Sequence, residues 1–175
     1  ILLKGDPAIK LVYLETPANP TLACIDIEAL ASVTSLHNRY SAIDNTFATP
    51  YLQQPLLLGV DFIIHSTTKF LNGHGNSIAG VVIGKDAELF KQTIWNTMKL
   101  TGANCSPFEA WLVYQGMKTL PLRMDKHSSN ALLVSTTLSN HPNVSRVNYP
   151  GLESHPNHAV AKKQMKDFGG MISFE

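Results

Sequence analysis

The chain has few cysteines, few charged residues and no long apolar run, and each shortage excludes a class of protein. Two cysteines in 175 residues form no disulfide framework, so we expect a reducing compartment, the cytoplasm. Charged residues make up 15%, with 14 basic against 13 acidic side chains, which gives no electrostatic reason to expect nucleic acid or an anionic membrane as a partner. No apolar run approaches the roughly 18 residues of a membrane span.

Apolar residues make up 44% of the chain, and many of them fall in short continuous runs separated by turn residues. We predict strands in the runs at 9–14, 40–44, 60–65 and 78–83. Asp26 and Asp86 are placed to cap helices, and the stripe Phe90, Ile94 and Met98 on the second helix is expected to belong to the core. Short apolar strands alternating with helices predict an α/β fold with a mostly parallel sheet and flanking helices.

The pattern changes after residue 106, because residues 107–138 are almost entirely helix-forming. Pro121 is expected to kink or divide that stretch. A strand, a helix and a strand are predicted beyond it, at 144–149, 159–166 and 171–174. We therefore predict two units, with residues 1–118 as part of a large domain and 119–175 as the start of a smaller, incomplete α+β C-terminal domain.

Polar side chains follow three of the predicted strands, where ligands bind in parallel α/β sheets. They are Glu15 and Asn19 after the first strand, Asp44 and Thr46 after the second, and Ser66, Thr67, Thr68 and Lys69 after the third. The three hydroxyls, with nearby backbone N–H groups, are suited to an oxyanion such as phosphate. Lys69 is either a counter-ion, an amine that forms an imine with a carbonyl, or a solvated turn residue. Asp44 is either a partner for a protonated ring nitrogen or an ordinary turn residue.

Histidine gives weaker signals. His155 and His158 have metal-ligand spacing, but Pro156 lies between them and no matched set of Cys or carboxylate residues accompanies them. We expect both to be surface residues and predict no metal site. His65 and His74 flank the lysine cluster, and we expect hydrogen bonds from them within it.

Taken together, several segments of the sequence point to a function more specifically than any one of them does alone. Residues 61–74, DFIIHSTTKFLNGH, resemble the lysine signature of the Cys/Met-metabolism enzymes that depend on pyridoxal 5′-phosphate (PLP). Further blocks resemble that family in the same order: 15–20 (ETPANP), 44–51 (DNTFATPY), 116–120 (GMKTL), 122–124 (LRM) and 149–152 (YPGL). The resemblance covers essentially the whole chain.

This resemblance implies a fold-type I PLP-dependent, transferase-like fold, and it implies a role for each matching position. Lys69 is implied to bind the cofactor through an imine and to move protons between substrate carbons. Asp44 is implied to pair with the pyridine nitrogen, and Thr46 to lie close to the ring. Ser66 and Thr68 are implied to bind the cofactor phosphate. Asn19 is implied to lie near the phenolic oxygen of the cofactor and the substrate carboxylate.

The activity implied is γ-elimination or γ-replacement on a sulfur amino acid or an O-acylhomoserine, of the cystathionine γ-lyase or γ-synthase type. Alternatives are a methionine γ-lyase, an O-acylhomoserine sulfhydrylase, a non-catalytic relative, or an unrelated phosphate-binding module that uses Lys69 only as a charge. Family members are longer at both ends and form homotetramers. We therefore expect a piece of a longer enzyme, inactive or poorly active alone, without the ring-stacking tyrosine and the carboxylate-binding arginine.

Overall fold

The computed structural model describes residues 2–175, which contain a main sheet and a small second sheet. The main sheet has the spatial order β1–β2–β3–β4, formed by Leu11–Glu15, Tyr40–Asp44, Phe62–Ser66 and Gly80–Gly84. Strands β1, β2 and β3 are parallel, and β4 is antiparallel to β3. In the second sheet, β5 (Val147–Asn148) pairs antiparallel with β6 (Ser173–Phe174). The predicted α/β class with a mostly parallel sheet is confirmed.

Helices connect and cover the strands. They are α1 (Leu2–Gly5), α2 (Ile27–Leu36), α3 (Thr49–Leu52), α4 (Ala87–Phe90), α5 (Asn96–Thr101), α6 (Pro107–Met117), α7 (Leu120–Ser139) and α8 (His158–Gln164), with a 3₁₀ turn at Pro55–Leu58 and a π turn at Lys91–Trp95. Asp26 and Asp86 cap α2 and α4 as predicted, each accepting a hydrogen bond from a backbone N–H three residues on. Among residues 2–175, no helix combines the length and the apolar character that crossing a membrane requires.

The direction of β4 follows from the connection before it. Residues 67–79 form turns and contain no helix that could cross back over the sheet, so the chain returns beside β3 in the opposite direction. Strand β4 begins at Gly80, two residues later than predicted, because the N–H of Ile78 donates to the Glu109 carboxylate instead of a neighbouring strand.

Two clusters form the core. In one, Ile27 and Ala31 of α2 pack against Ile43 of β2 and Ile63 of β3, which fixes α2 on one face of the sheet. Such burial stabilises the fold by about 1.5–3 kcal/mol for each large side chain. The other cluster draws on both predicted units: Cys24, Ala48, Leu52, Leu71, Leu120, Met124, Ala161 and Met165.

The predicted helical stretch is divided, as expected at Pro121. Helix α6 ends at Met117 and α7 begins at Leu120, which places Pro121 in the first turn of α7, where its missing N–H breaks no helical bond. The proposed division of the chain at 118/119 lies in this gap and stays a prediction, since one core cluster includes residues from both sides of it.

One predicted core element is only half-buried. Phe90, Ile94 and Met98 all have intermediate exposure, so the prediction that this stripe belongs to the core is wrong. The stripe stays half-buried because this helical segment packs beside β4, which is the last strand of the sheet. There the Phe90 ring is so close that a Cβ added to Gly84 would lie 2.7 Å from it.

Gly116 is expected to resist substitution. A Cβ at this position of α6 would lie 2.0 Å from the carbonyl oxygen of Asn72, in the turn that follows Lys69. Gly116→Ala should therefore lower the free energy of unfolding of the full-length protein by about 1–3 kcal/mol, although alanine alone favours a helix by about 1 kcal/mol. Gly80→Ala is the control, since its Cβ would meet the carbonyl oxygen of His65 at an ordinary 3.4 Å. Equal urea midpoints for the two variants would contradict this prediction.

Candidate active site

The register of the sheet brings the predicted site residues to one edge. Glu15, the last residue of β1, lies opposite Asp44, the last residue of β2. Asp44 lies opposite Ile64, and β3 continues for two more residues to Ser66. The carboxyl ends of three parallel strands therefore place their polar side chains at the same rim of the sheet.

Asp44 is held from two sides. Its Oδ1 accepts hydrogen bonds from the backbone N–H of Thr46, at 3.0 Å, and from the Thr46 hydroxyl. Its Oδ2 accepts one from the Tyr13 hydroxyl, at 3.2 Å. Burial, together with the charge of Asp44, raises the pKa of Tyr13, which keeps that hydroxyl a donor. The carboxylate thus has a fixed orientation, and Oδ2 retains a free lone pair.

Thr46 connects Asp44 to the third strand. The backbone N–H of Ser66 donates to the Thr46 Oγ1 at 2.8 Å, and the same hydroxyl donates to Asp44. The hydroxyl of Ser66 makes no hydrogen bond within the part of the chain that the structure describes. Asp44, Thr46 and Ser66 therefore form one connected group, and Ser66 keeps a hydroxyl available for a ligand.

The neighbouring hydroxyls and N–H groups are less available than expected. The Thr68 Oγ1 accepts from the N–H of Ala79 at 3.0 Å and donates to its carbonyl at 3.2 Å. The backbone N–H groups of Ser66, Thr68 and Lys69 all donate within the protein. These three N–H groups are therefore not available to an oxyanion, because the turn uses them to hold its own shape. The Thr67 hydroxyl is buried and has no partner among residues 2–175.

Lys69 is exposed, and within residues 2–175 its amine forms no ion pair. Its backbone N–H donates to the Ser66 carbonyl at 3.2 Å, so one tight turn connects Ser66 to Lys69. Its side chain lines an open cleft of about 460 Å³. The other lining residues are Asn19, Phe47, Phe70, Gly73, His127 and Met171.

Asn19 lines the same cleft as Lys69. Its backbone N–H donates to the Glu15 carboxylate at 3.3 Å, so Glu15 satisfies the backbone of its own turn. The cleft thus brings Asn19 and Lys69 together, while Asp44, Thr46 and Ser66 form the adjoining hydrogen-bonded group.

Sequence reasoning missed two residues that hold the site in place. The buried Gln53 carboxamide donates to the Thr16 carbonyl at 3.1 Å and to the Asn45 side chain at 2.8 Å, which ties the turn after β1 to the turn after β2. Arg123 of α7 donates to the carbonyls of Phe70 and Leu71, immediately after Lys69. Arg123 lies in a block that resembles the family, but no sequence signal points to Gln53.

The histidines behave in different ways. His74 Nδ1 donates to the Asn72 carbonyl at 2.6 Å, as expected for a residue that flanks the lysine cluster. His65 does not, because both of its ring nitrogens are buried without a partner among the described residues. Burial lowers the pKa of His65, and the charge of Asp44 opposes this shift, so the ring is neutral near pH 7.

The two histidines of the second pair, His155 and His158, differ in exposure and contacts. His155 is 6% exposed, so the prediction of a surface histidine is wrong at that position, where its Nδ1 accepts from the N–H of Asn157 at 3.2 Å. His158 is half-buried and stacks on Phe168 with ring centroids 5.2 Å apart. Within residues 2–175, no three His, Cys, Asp or Glu residues are grouped to hold a metal ion.

The side chains at this rim match the functional groups of PLP. An aldehyde requires a free amine, and the amine of Lys69 forms no ion pair within residues 2–175. A protonated ring nitrogen requires an acceptor, and Asp44 Oδ2 has one lone pair left beside Tyr13. A phosphate requires donors, and the Ser66 hydroxyl is uncommitted within the described chain.

Comparison with known proteins is consistent with this match. The model of the family described as "Cys/Met metabolism PLP-dependent enzyme" matches residues 4–175. An L-methionine gamma-lyase of Fusobacterium nucleatum subsp. polymorphum is 52% identical over 168 residues, which are 95% of this chain and 42% of that enzyme. A cystathionine beta-lyase of Lactococcus lactis subsp. cremoris is 49% identical over 166 residues, 95% of this chain and 43% of that enzyme.

Solved structures agree with the sequence comparison. The cystathionine gamma-lyase of Lactobacillus plantarum, complexed with L-serine, superposes with a TM-score of 0.96 at 44% identity, over 99% of this chain and 46% of that one. The chain thus spans less than half the length of the relatives that it matches.

Proposed function

This chain belongs to the Cys/Met-metabolism PLP-dependent enzymes, and we propose that the protein as a whole catalyses γ-elimination or γ-replacement on a sulfur amino acid or an O-acylhomoserine. One observation carries the proposal. The Lys69 side chain and Asn19 line one open cleft, the Lys69 amine forms no ion pair within residues 2–175, and the group of Asp44, Thr46 and Ser66 lies at the same rim. PLP supplies the electron sink for this chemistry.

Each residue has a distinct task in this proposal. Lys69 binds the cofactor covalently and afterwards moves protons at the substrate carbons. Asp44, oriented by Thr46 and Tyr13, keeps the proton on the ring nitrogen, and Thr46 lies close to the ring. Ser66 donates to the phosphate. Thr68 can turn its hydroxyl to the same phosphate while it still accepts from the N–H of Ala79.

Asn19 is proposed to donate its side-chain amide to the phenolic oxygen of the cofactor and to the substrate carboxylate, since it lines the same cleft as Lys69. We further propose a large domain through residue 118, a C-terminal domain from residue 119, a homotetramer and a cytoplasmic location. An amino-acid substrate is consistent with the structure of a related cystathionine gamma-lyase, which was solved in complex with the amino acid L-serine.

A second candidate activity is β-elimination from cystathionine. The observation that favours it is the 49% identity to a cystathionine beta-lyase, close to the 52% identity to a methionine gamma-lyase. The two reactions break different carbon–sulfur bonds, so their products distinguish them.

The test is an assay of the full-length protein with L-methionine, with cystathionine, and with an O-acylhomoserine plus cysteine. We expect γ-elimination from methionine or cystathionine to release 2-oxobutanoate, whereas β-elimination from cystathionine would release pyruvate and homocysteine. Synthesis of cystathionine from the third mixture would indicate γ-replacement. A protein that takes up PLP but forms none of these products would be a non-catalytic relative, and the proposal would be wrong.

A further inference from the structure

The turn that carries Lys69 is held by a side chain distant in sequence. Residues 70–73 follow Lys69 outside any strand or helix, and the N–H of Gly73 closes the turn on the Lys69 carbonyl at 2.7 Å. Arg123 Nη1 donates to the Phe70 carbonyl at 2.7 Å, and Nη2 to the Leu71 carbonyl at 3.4 Å. The carbonyl groups of the two residues directly after Lys69 are thereby hydrogen-bonded to a side chain of α7.

The guanidinium is itself fixed. Its Nη2 also donates to the Gly116 carbonyl at 2.9 Å, and its Nε to the Thr119 hydroxyl at 3.1 Å, so four hydrogen bonds use its planar geometry. No carboxylate forms an ion pair with Arg123 within residues 2–175, so main-chain carbonyls take the place of a counter-ion. The guanidinium of Arg123 therefore links the end of α6, the start of α7 and the turn after Lys69 through hydrogen bonds.

We propose, on the basis of the proposed function, that Arg123 is a positioning residue that aims the Lys69 amine into the cleft. Two further contacts support this role. His127, one turn along α7 from Arg123, lines the same cleft as Lys69. The Phe70 ring packs edge-on against His127, with centroids 5.3 Å apart. Helix α7 thus contributes His127 to the lining of the cleft and also holds the turn that follows Lys69.

The test compares Arg123→Lys with Arg146→Lys in the full-length protein. Lysine keeps the positive charge at position 123, but its single ammonium nitrogen cannot replace the planar guanidinium that donates to both carbonyls. Arg146 is exposed, and its side chain forms no ion pair within the described residues, so Arg146→Lys is the matched control. We expect Arg123→Lys to lower kcat by about 10- to 100-fold while KM changes less than threefold, since a displaced reacting group chiefly affects the chemical step. The rate at which added PLP becomes reducible by borohydride on Lys69 should fall by a similar factor.

A milder variant and a rescue keep the proposal testable if Arg123→Lys folds poorly. Thr119→Val removes the acceptor for Nε and should lower the labelling rate of Lys69 by about two- to fivefold. Added guanidinium chloride at non-denaturing concentration should partly restore labelling in Arg123→Ala, and tetramethylammonium chloride, a cation with no N–H donor, should not. A purely structural role would lower the Tm but leave the labelling rate, kcat and their response to guanidinium unchanged in folded protein, and this result would overturn the proposal. If wild-type protein fails to bind PLP at Lys69, the proposed function fails instead.

Discussion

Lys69→Ala in the full-length protein is expected to lower kcat by at least about 10³-fold, because it removes both the covalent attachment of the cofactor and the base that moves protons. The fold should tolerate the change. The amine is exposed and forms no ion pair within residues 2–175, so its loss leaves no buried group unsatisfied. The free energy of unfolding should change by no more than about 0.5 kcal/mol.

A second substitution at this position separates covalent from electrostatic roles. Lys69→Arg keeps the positive charge but provides no amine that forms an imine under these conditions. If Lys69 served only as a counter-ion to phosphate, Lys69→Arg would retain phosphate affinity and activity. We expect it to be as inactive as Lys69→Ala. Lys99→Ala, at another exposed lysine on α5, should remain fully active.

Borohydride reduction followed by peptide mapping makes the measurement independent of turnover. Wild-type protein incubated with PLP should carry a pyridoxyl group on the peptide that contains Lys69, and neither variant at this position should carry one there. A stable label on another lysine, or an active Lys69→Arg enzyme, would contradict the assignment.

Much of this fold could be predicted because local rules decide it. The strand at Tyr40–Asp44 has the predicted boundaries, and Asp26 caps α2 through a hydrogen bond to a residue only three positions away. The order of Asp44 and Lys69 along the chain also made their common location predictable, since consecutive parallel strands end at one rim. The roles of these residues stay predictions.

What could not be predicted depends on contacts between distant segments. Tyr13 reaches Asp44 only because β1 and β2 pair in a particular register, across 31 residues of sequence. Arg123 reaches the Phe70 carbonyl across 53 residues through the packing of α7 on the lysine turn. His155 is buried although it lies among turns and bends just before α8, where no periodicity predicts burial.

Asp44→Asn is expected to lower kcat by about 10²- to 10³-fold while it leaves the fold intact. An amide oxygen in place of Oδ1 still accepts from the N–H and the hydroxyl of Thr46. An amide nitrogen in place of Oδ2 can still pair with Tyr13, whose hydroxyl then accepts. The substitution removes the charge with little change of shape, so the unfolding free energy should shift by less than about 1 kcal/mol.

The loss of activity follows from the inversion of one hydrogen bond. Oδ2 of Asp44 accepts, so a ring nitrogen placed against it keeps its proton and its positive charge, whereas the amide nitrogen of asparagine donates and favours the unprotonated ring. An uncharged ring withdraws electrons less strongly, and loss of one preorganised electrostatic partner typically costs about 2.7–4 kcal/mol of the barrier. Asp86→Asn is the control, because asparagine also caps a helix and Asp86 lies at the start of α4, away from the rim. Steady-state kinetics, with PLP content measured on both variants, make the comparison. If Asp44→Asn binds PLP and turns over within a few-fold of Asp86→Asn, Asp44 does not hold the charge of the ring.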